Sequence, residues 1–258
     1  MPSFTENAPD ASEDAVLGGR LVLRQPRRGH RVGHDAILLA AATPAKAGEH
    51  AVDFGAGVGA AGLALAARVP GLAVTLAEIE PALAAFAADN ICRNGLDERM
   101  RAVVLDVTTG ARAFAAAALP PGAAARVLMN PPFNDSRTSR ASPDAARRRA
   151  HLSADLAPWL RSAARLLGAG GTVTLIWRAD GIADVLTALA RGFGAVAVQP
   201  VYPRPDTAAI RVLVRAVKGS RAPLALVPGL VLAGADGRPS EEAEAVLRHG
   251  AALPLANV

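Results

Sequence analysis

The stretch VDFGAGVGAAG at residues 52–62 decides how the rest of the chain is read. A short apolar segment carrying one acid, HAVDF (50–54), runs directly into glycines at 55, 57, 59 and 62, and an alanine-rich helical pattern follows. Glycines at this spacing let a backbone turn sharply and come close to a ligand, and the helix behind them points the positive end of its dipole at the turn. Strand, glycine loop and helix together form the opening unit of an open α/β sheet that binds its ligand at the carboxyl edge. Read literally, Gly57-x-Gly59-x-x-Gly62 also fits the dinucleotide fingerprint, with Glu78 downstream as the acid.

Working outward, short apolar runs alternate with helical stretches. LAVTLAEI (72–79), RAVVLDV (101–107), ARVLMN (125–130), TVTLIW (172–177), AVAVQPVY (195–202) and AIRVLVRAV (209–217) read as further strands. VGAAGLALAARV (58–69), PALAAFAADNICRNG (81–95), HLSADLAPWLRSAARLLGAGG (151–171) and GIADVLTALARGFG (181–194) read as helices, the second opened by Pro81 and stopped by Gly95. This alternation predicts an α/β, Rossmann-like fold with a mostly parallel seven-stranded sheet and helices on both faces. The alanine-rich AFAAAALPPGAAA (113–125) reads as a helix and a loop. Around this core (48–218) lie a polar, acidic tail at 1–17, expected to be disordered, and a basic segment with the helix DAILLAAATPA at 18–47. Residues 219–258 form a C-terminal appendage with a hairpin-like LALVPGLVL and a helix SEEAEAVLRHG capped by Ser240.

Composition narrows the class. Hydrophobic residues make up 51% of the 258, enough for one buried sheet, but no apolar run is long enough to span a membrane. The first residues lack the apolar stretch of a secretory signal. A single cysteine, Cys92, excludes an intramolecular disulfide and suits a reducing, cytoplasmic setting; on its helix it reads as buried filler. His30, His50, His151 and His249 have no recognisable partners, and no His/Asp cluster has metal-ligand spacing, so no metal is expected. Net charge is +5, and of the 28 basic residues only Lys46 and Lys218 are lysines. Arginine suits bidentate contact with phosphate, so the composition permits a nucleic-acid partner, although a coding bias towards Ala, Arg, Gly and Pro would look the same. An aromatic content of 3% argues against an extended stacking platform for single strands.

The acids choose the cofactor. Asp53 stands before the first glycine, where a dinucleotide fingerprint usually has a small apolar residue; a carboxylate there repels a pyrophosphate but suits a cationic amino group. Glu78 ends the second strand, able to accept from both hydroxyls of a ribose. Asp106 ends the third, where an acid can meet an adenine amino group. Three acids at successive strand ends resemble the class I S-adenosylmethionine-dependent methyltransferases over roughly residues 48–216. The resemblance implies that Asp53, Gly55, Gly57 and Gly59 hold the methionine part, Glu78 and Ile79 the ribose, and Asp106 and Val107 the adenine.

In that fold the fourth strand ends beside the methyl group, and here it ends in Asn130-Pro131-Pro132-Phe133. Two prolines fix their own φ and donate no backbone hydrogen bond, so they cannot continue a central strand. They set the Asn130 side-chain oxygen and the Pro131 carbonyl to accept both hydrogens of one planar amino group, with Phe133 as a face for a flat substrate. Position and electrostatics then suffice without a strong base. The tetrapeptide resembles the (Asp/Asn/Ser)-Pro-Pro-(Tyr/Phe/Trp) motif of amino methyltransferases, which act on adenine N6, guanine N2 or the glutamine side-chain amide.

The segment NDSRTSRASPDAARRRAHL (134–152) carries Arg137, Arg140, Arg147, Arg148 and Arg149, suited to gripping phosphates while one base is flipped inward, or else a solvated helix face. RQPRRGHRVGHDAILLAA adds Arg24, Arg27, Arg28 and Arg31. With Gly33-His34-Asp35, Leu38-Leu39 and the closing PLALVPGLVL, the chain resembles the bacterial adenine N6-methyltransferases that modify position 37 of a valine tRNA, over about residues 17–255. That resemblance implies an RNA partner, with Asp35 lying over the cofactor pocket, in a monomer or homodimer. His34 and the long arginine-rich segment are not dictated by the motif. A glutamine N5-methyltransferase of a protein, a guanine N2-methyltransferase of rRNA, an O-methyltransferase of a small molecule and a non-catalytic RNA-binding module stay open as alternatives. The short basic N-terminal part, where glutamine methyltransferases usually carry a helical domain, favours RNA.

Overall fold

A computed structural model describes residues 11–27, 31–132 and 156–257. The chain opens with a hairpin of β1 (Ala11–Val16) and β2 (Leu21–Pro26), followed by α1 (His34–Ala42). The core then runs β3 (His50–Phe54), α2 (Ala60–Arg68), β4 (Ala73–Glu78), α3 (Pro81–Arg93), β5 (Met100–Val104), α4 (Ala111–Ala116) and β6 (Ala124–Met129). Its second half comprises α5 (Leu156–Leu166), β7 (Leu167–Arg178), α6 (Ile182–Leu189), β8 (Phe193–Tyr202) and β9 (Arg211–Lys218). The short strands β10 (Ala225–Leu226) and β11 (Leu230–Val231) and the helix α7 (Glu241–Leu247) close the chain.

The main sheet has nine strands in the order β10-β8-β9-β7-β6-β3-β4-β5, with β11 also on β8. β5, β4, β3, β6 and β7 are mutually parallel, and only β9 runs against its neighbours β7 and β8. The central strands are apolar on both sides because both are covered. One face packs Leu38, Leu63, Leu76 and Ile91 beneath α1, α2 and α3. The other packs Phe54, Phe114, Met129 and Leu160 beneath α4, α5 and α6, with the Phe54 and Phe114 rings edge to face at 5.9 Å. From β3 the chain builds outward through β4 and β5, then returns to build the other way through β6 and β7. That reversal opens a crevice at the carboxyl ends of β3 and β6, where such sheets bind ligands.

Most elements fall where periodicity puts them, and the Ser240 cap forms, its Oγ accepting from the Ala243 N–H at 3.0 Å. Four local expectations are corrected. The seven strands expected are present, but two short ones extend the sheet to nine. The LALVPGLVL segment is not a hairpin: both of its strands run parallel to β8, Ala225 opposite Ala197 and Leu230 opposite Val201, so the chain keeps its direction through Pro228-Gly229. Residues 11–16 of the expected disordered tail pair with β2, because Asp14 accepts from Gln25 at 2.8 Å and from Arg31 at 2.8 Å, partners that composition cannot reveal. Residues 168–171, expected to end a helix, already belong to β7.

Two single residues also differ from expectation. Cys92 is exposed on α3 rather than buried. His50 does have partners: Nδ1 lies 3.0 Å from the Ala123 carbonyl and Nε2 2.9 Å from the Thr75 hydroxyl, tying three segments together at the amino edge of the sheet. His30, His151 and residues 151–155 of the long helix lie outside the described residues. Among the described residues no helix is long and apolar enough to cross a membrane.

Candidate functional site

The strand ends around the crevice carry the acids, and each is held differently. Glu78, the last residue of β4, is 6% exposed. The Gly57 N–H donates to its Oε2 at 2.7 Å and the Glu80 N–H to its Oε1 at 3.0 Å. Each oxygen keeps a further lone pair, so the carboxylate is held in place and can accept further hydrogen bonds. The next residue, Ile79, is 54% exposed and sets an apolar surface beside that acid.

Asp106 lies two residues past the end of β5. Its Oδ1 accepts from the Thr108 N–H at 2.8 Å and the Thr108 hydroxyl at 2.7 Å, which locks the turn. Together with Val104, Leu105, Thr109 and Ala113 it lines a hollow of about 490 Å³. Val107, expected beside it, is instead buried in the core with Phe114, because the locked turn directs it back under α4.

Asp53 is expected to face a cationic group in the crevice. The residue is 2% exposed, and its Oδ2 accepts the Gly62 N–H at 2.9 Å in the first turn of α2. Burial pushes this carboxyl up to about 7; the Gly62 N–H opposes the rise and the charge of Glu78 adds to it. The bond ties the end of β3 to the helix behind the glycine loop.

The glycines of the loop serve packing as well as approach. At Gly55, with φ +66°, a Cβ would lie 2.7 Å from Cη2 of Trp159, so the α5 indole rests on the backbone itself. At Gly59, with φ +93°, a Cβ would lie 2.7 Å from a Leu76 methyl. Trp159 was not legible as a site residue; its one signal is that it is one of only two tryptophans, set on the most amphipathic helix.

Asn130 follows Met129, which pairs with Phe54 on one side and Leu175 on the other. It therefore stands level with Gly55, at the mouth of the crevice. Its half-buried side chain has no hydrogen-bond partner among the described residues, while Pro131 is buried and Pro132 exposed. Phe133, Arg137, Arg140, Arg147, Arg148 and Arg149 lie outside the described residues.

Asp35 reaches the same edge: the Arg211 Nε donates to its Oδ2 at 2.9 Å, joining α1 to the start of β9. The N-terminal arginines are more occupied than a free basic cluster would be. Arg31 donates to both oxygens of Asp14, Arg27 donates to the Ala11 carbonyl at 3.1 Å, and Arg24 lies over the Phe86 ring at 5.7 Å. Arg28 lies outside the described residues.

Residues 30–202 match the family model of the methyltransferase small domain. A protein of Agrobacterium tumefaciens described as a predicted O-methyltransferase is 31% identical; the match covers 85% of this chain and 98% of that one, with a TM-score of 0.72. An S-adenosylmethionine-dependent O-methyltransferase of Thermotoga maritima is 19% identical over 76% of this chain and 69% of that one, TM-score 0.53. TrmN of Thermus thermophilus is 21% identical over 71% of this chain and 47% of that one, TM-score 0.51. These last two share the fold. No curated protein matches the chain.

Proposed function

The chain belongs to the methyltransferase small domain family and is an S-adenosylmethionine-dependent methyltransferase, and on that footing we propose that its acceptor is a planar amino nitrogen, adenine N6 of a tRNA in particular. The carrying observation is Asn130, a half-buried amide without a partner among the described residues, followed by a buried proline at the ligand-binding edge.

The residues present fit the cofactor. Glu78 is fixed to accept from ribose hydroxyls, Ile79 and the hollow beside Asp106 offer apolar surface and an acid for a purine, and the Gly55–Gly59 turn leads into α2. When bound, the cofactor supplies a methyl group on a positively charged sulfur. The protein's part is to aim the acceptor. The Asn130 side-chain oxygen and the Pro131 carbonyl accept the two amino hydrogens, which turns the nitrogen lone pair out of the plane of those contacts. Both acceptors are neutral and take no proton. That suits an amine, whose proton leaves after the new bond forms, better than a hydroxyl, which needs a base to become nucleophilic.

Arg137, Arg140, Arg147, Arg148 and Arg149 would grip the backbone of an RNA while an unpaired base enters, and Phe133 would stack on it. The cytoplasm, where tRNA is processed, is the matching location. A hydroxyl acceptor is the second reading, favoured by the likeness to the predicted O-methyltransferase of Agrobacterium tumefaciens.

The test incubates the protein with radiolabelled S-adenosylmethionine and tRNA from a strain lacking the gene, then digests to nucleosides. Label in N6-methyladenosine is the expected result. Label in no nucleoside, with cofactor binding intact, overturns the RNA reading and sends the search to amides and hydroxyls of other substrates.

A further inference from the structure

Asparagine is a poor helix former whose side chain competes for backbone partners, so Asn90 inside α3 calls for a reason; Asn94, four residues on, is the C-cap that ends the helix. Asn90 and the C-cap Asn94 together act as a surrogate strand for the free edge of β2. The Val22 N–H donates to Asn94 Oδ1 at 3.0 Å, and Asn94 Nδ2 donates back to the Val22 carbonyl at 2.9 Å. The Arg24 N–H donates to Asn90 Oδ1 at 2.7 Å, and Asn90 Nδ2 donates back to the Arg24 carbonyl at 2.9 Å. Residues two apart on β2 thus meet residues four apart at the end of α3 and its cap, and each amide completes a two-way exchange like that of a strand pair.

The two asparagines then part ways. Asn94 spends its remaining contact on its own helix, Nδ2 donating to the Asn90 carbonyl at 2.7 Å. Asn90 is fully buried, and its second amide hydrogen goes to the Val58 carbonyl at 3.0 Å, inside the glycine loop. The peptide units on either side of that point are therefore gripped from both directions. Gly57 N–H is held by Glu78 at 2.7 Å, and Val58 C=O is held by Asn90.

We infer that Asn90 is a positioning residue for the cofactor: it clamps the glycine loop to the N-terminal hairpin, so that β1 and β2 are part of the cofactor-binding device and not an appendage to it. A buried amide with every hydrogen used leaves three backbone groups unpaired when it is removed, one of them in the loop that must keep its shape to receive the ligand. The clamp also makes the hairpin and the cofactor reciprocal: whatever stiffens the loop stiffens β2.

Asn94 supplies the control, since it anchors the hairpin in the same way without reaching the loop. The experiment measures S-adenosylhomocysteine affinity by calorimetry, and amide hydrogen exchange at residues 20–26 with and without that ligand, in wild type, N90A, N90D and N94A. N90D keeps the acceptor for the Arg24 N–H and loses the donors, which tests the clamp if N90A does not fold. The expected result is a loss of affinity of tenfold or more in N90A and N90D and less than threefold in N94A. Ligand-induced slowing of exchange at Arg24 is expected in wild type and N94A and absent in the Asn90 variants. Equal affinities for N90D and wild type, an N94A loss as large as that of the Asn90 variants, or no ligand effect on the hairpin in wild type each overturn the inference. None of these readings depends on the acceptor being an RNA.

Discussion

The indole of Trp159 rests on the backbone of Gly55, so closely that a single added methyl group at residue 55 would stand 2.7 Å from the ring. This contact joins α5, the first described helix after Asn130-Pro131-Pro132, to the first glycine of the glycine loop. G55A should therefore weaken S-adenosylhomocysteine binding by tenfold or more, through both the clash and a φ of +66° that costs a non-glycine residue about 1–2 kcal/mol. Adding W159A removes the clash but not the φ cost, so the double variant should recover part of the loss. Simply additive losses, read in a double-mutant cycle, would mean that the ring yields without effort.

Asn130 should act on turnover and not on the cofactor. N130A is expected to lower the methylation rate by on the order of 10²–10³, the scale seen when one pre-aimed polar group is removed from an active site. Its affinity for S-adenosylhomocysteine should stay within about twofold of wild type, since no described contact joins Asn130 to the residues that fit the cofactor. A large loss of affinity in this variant would place the tetrapeptide in the wrong role.

Glu78 should show the opposite pattern. In E78Q one carboxylate oxygen becomes an NH₂ group facing a backbone N–H, of Gly57 or of Glu80, so the loop contact and the ribose acceptor are damaged together. Charged hydrogen bonds are worth about 1.5–3 kcal/mol, which predicts a rise in dissociation constant of roughly 10- to 150-fold. At saturating cofactor much of the rate should return, and a variant that stays inactive there would mean that Glu78 does more than bind.

Asp53 predicts a pH dependence of stability. Its folded carboxyl titrates near 7 while the unfolded value is 3.8, so the neutral form is favoured by folding. The sign follows: the contribution is complete below pH 3.8 and is lost as pH rises through about 7, with an upper bound of roughly 4 kcal/mol. D53N keeps an oxygen to accept the Gly62 N–H and cannot ionise. Urea unfolding at pH 4.5, 6 and 8 should show wild type losing stability relative to D53N over that span. Parallel pH profiles for the two proteins would place the titration elsewhere.

The sequence alone determined the layered sheet, the glycine loop and the carboxyl-edge acids Glu78 and Asp106, because each is written in residues close together along the chain. Strand and helix periods, a proline at a helix start and glycines at a turn act over a few residues, and local sterics decide them. The place of Asn130 at the end of β6 was legible for the same reason, since the prolines after it cannot continue a strand.

Only the tertiary structure decided the rest. It joined Asp53 to the first turn of α2, buried Val107, occupied Arg31 with Asp14, and gave His50 its partners on two other segments. It laid Trp159 on Gly55 and bound Asn90 to Val58 and Arg24 at once. The polar and aromatic pairings among these join residues from nine positions apart, as Asp53 and Gly62 are, up to about a hundred, and such a side chain carries no local mark of which group will satisfy it. A buried amide must find a partner, but the chain's path through the sheet, and not the neighbouring residues, selects which one.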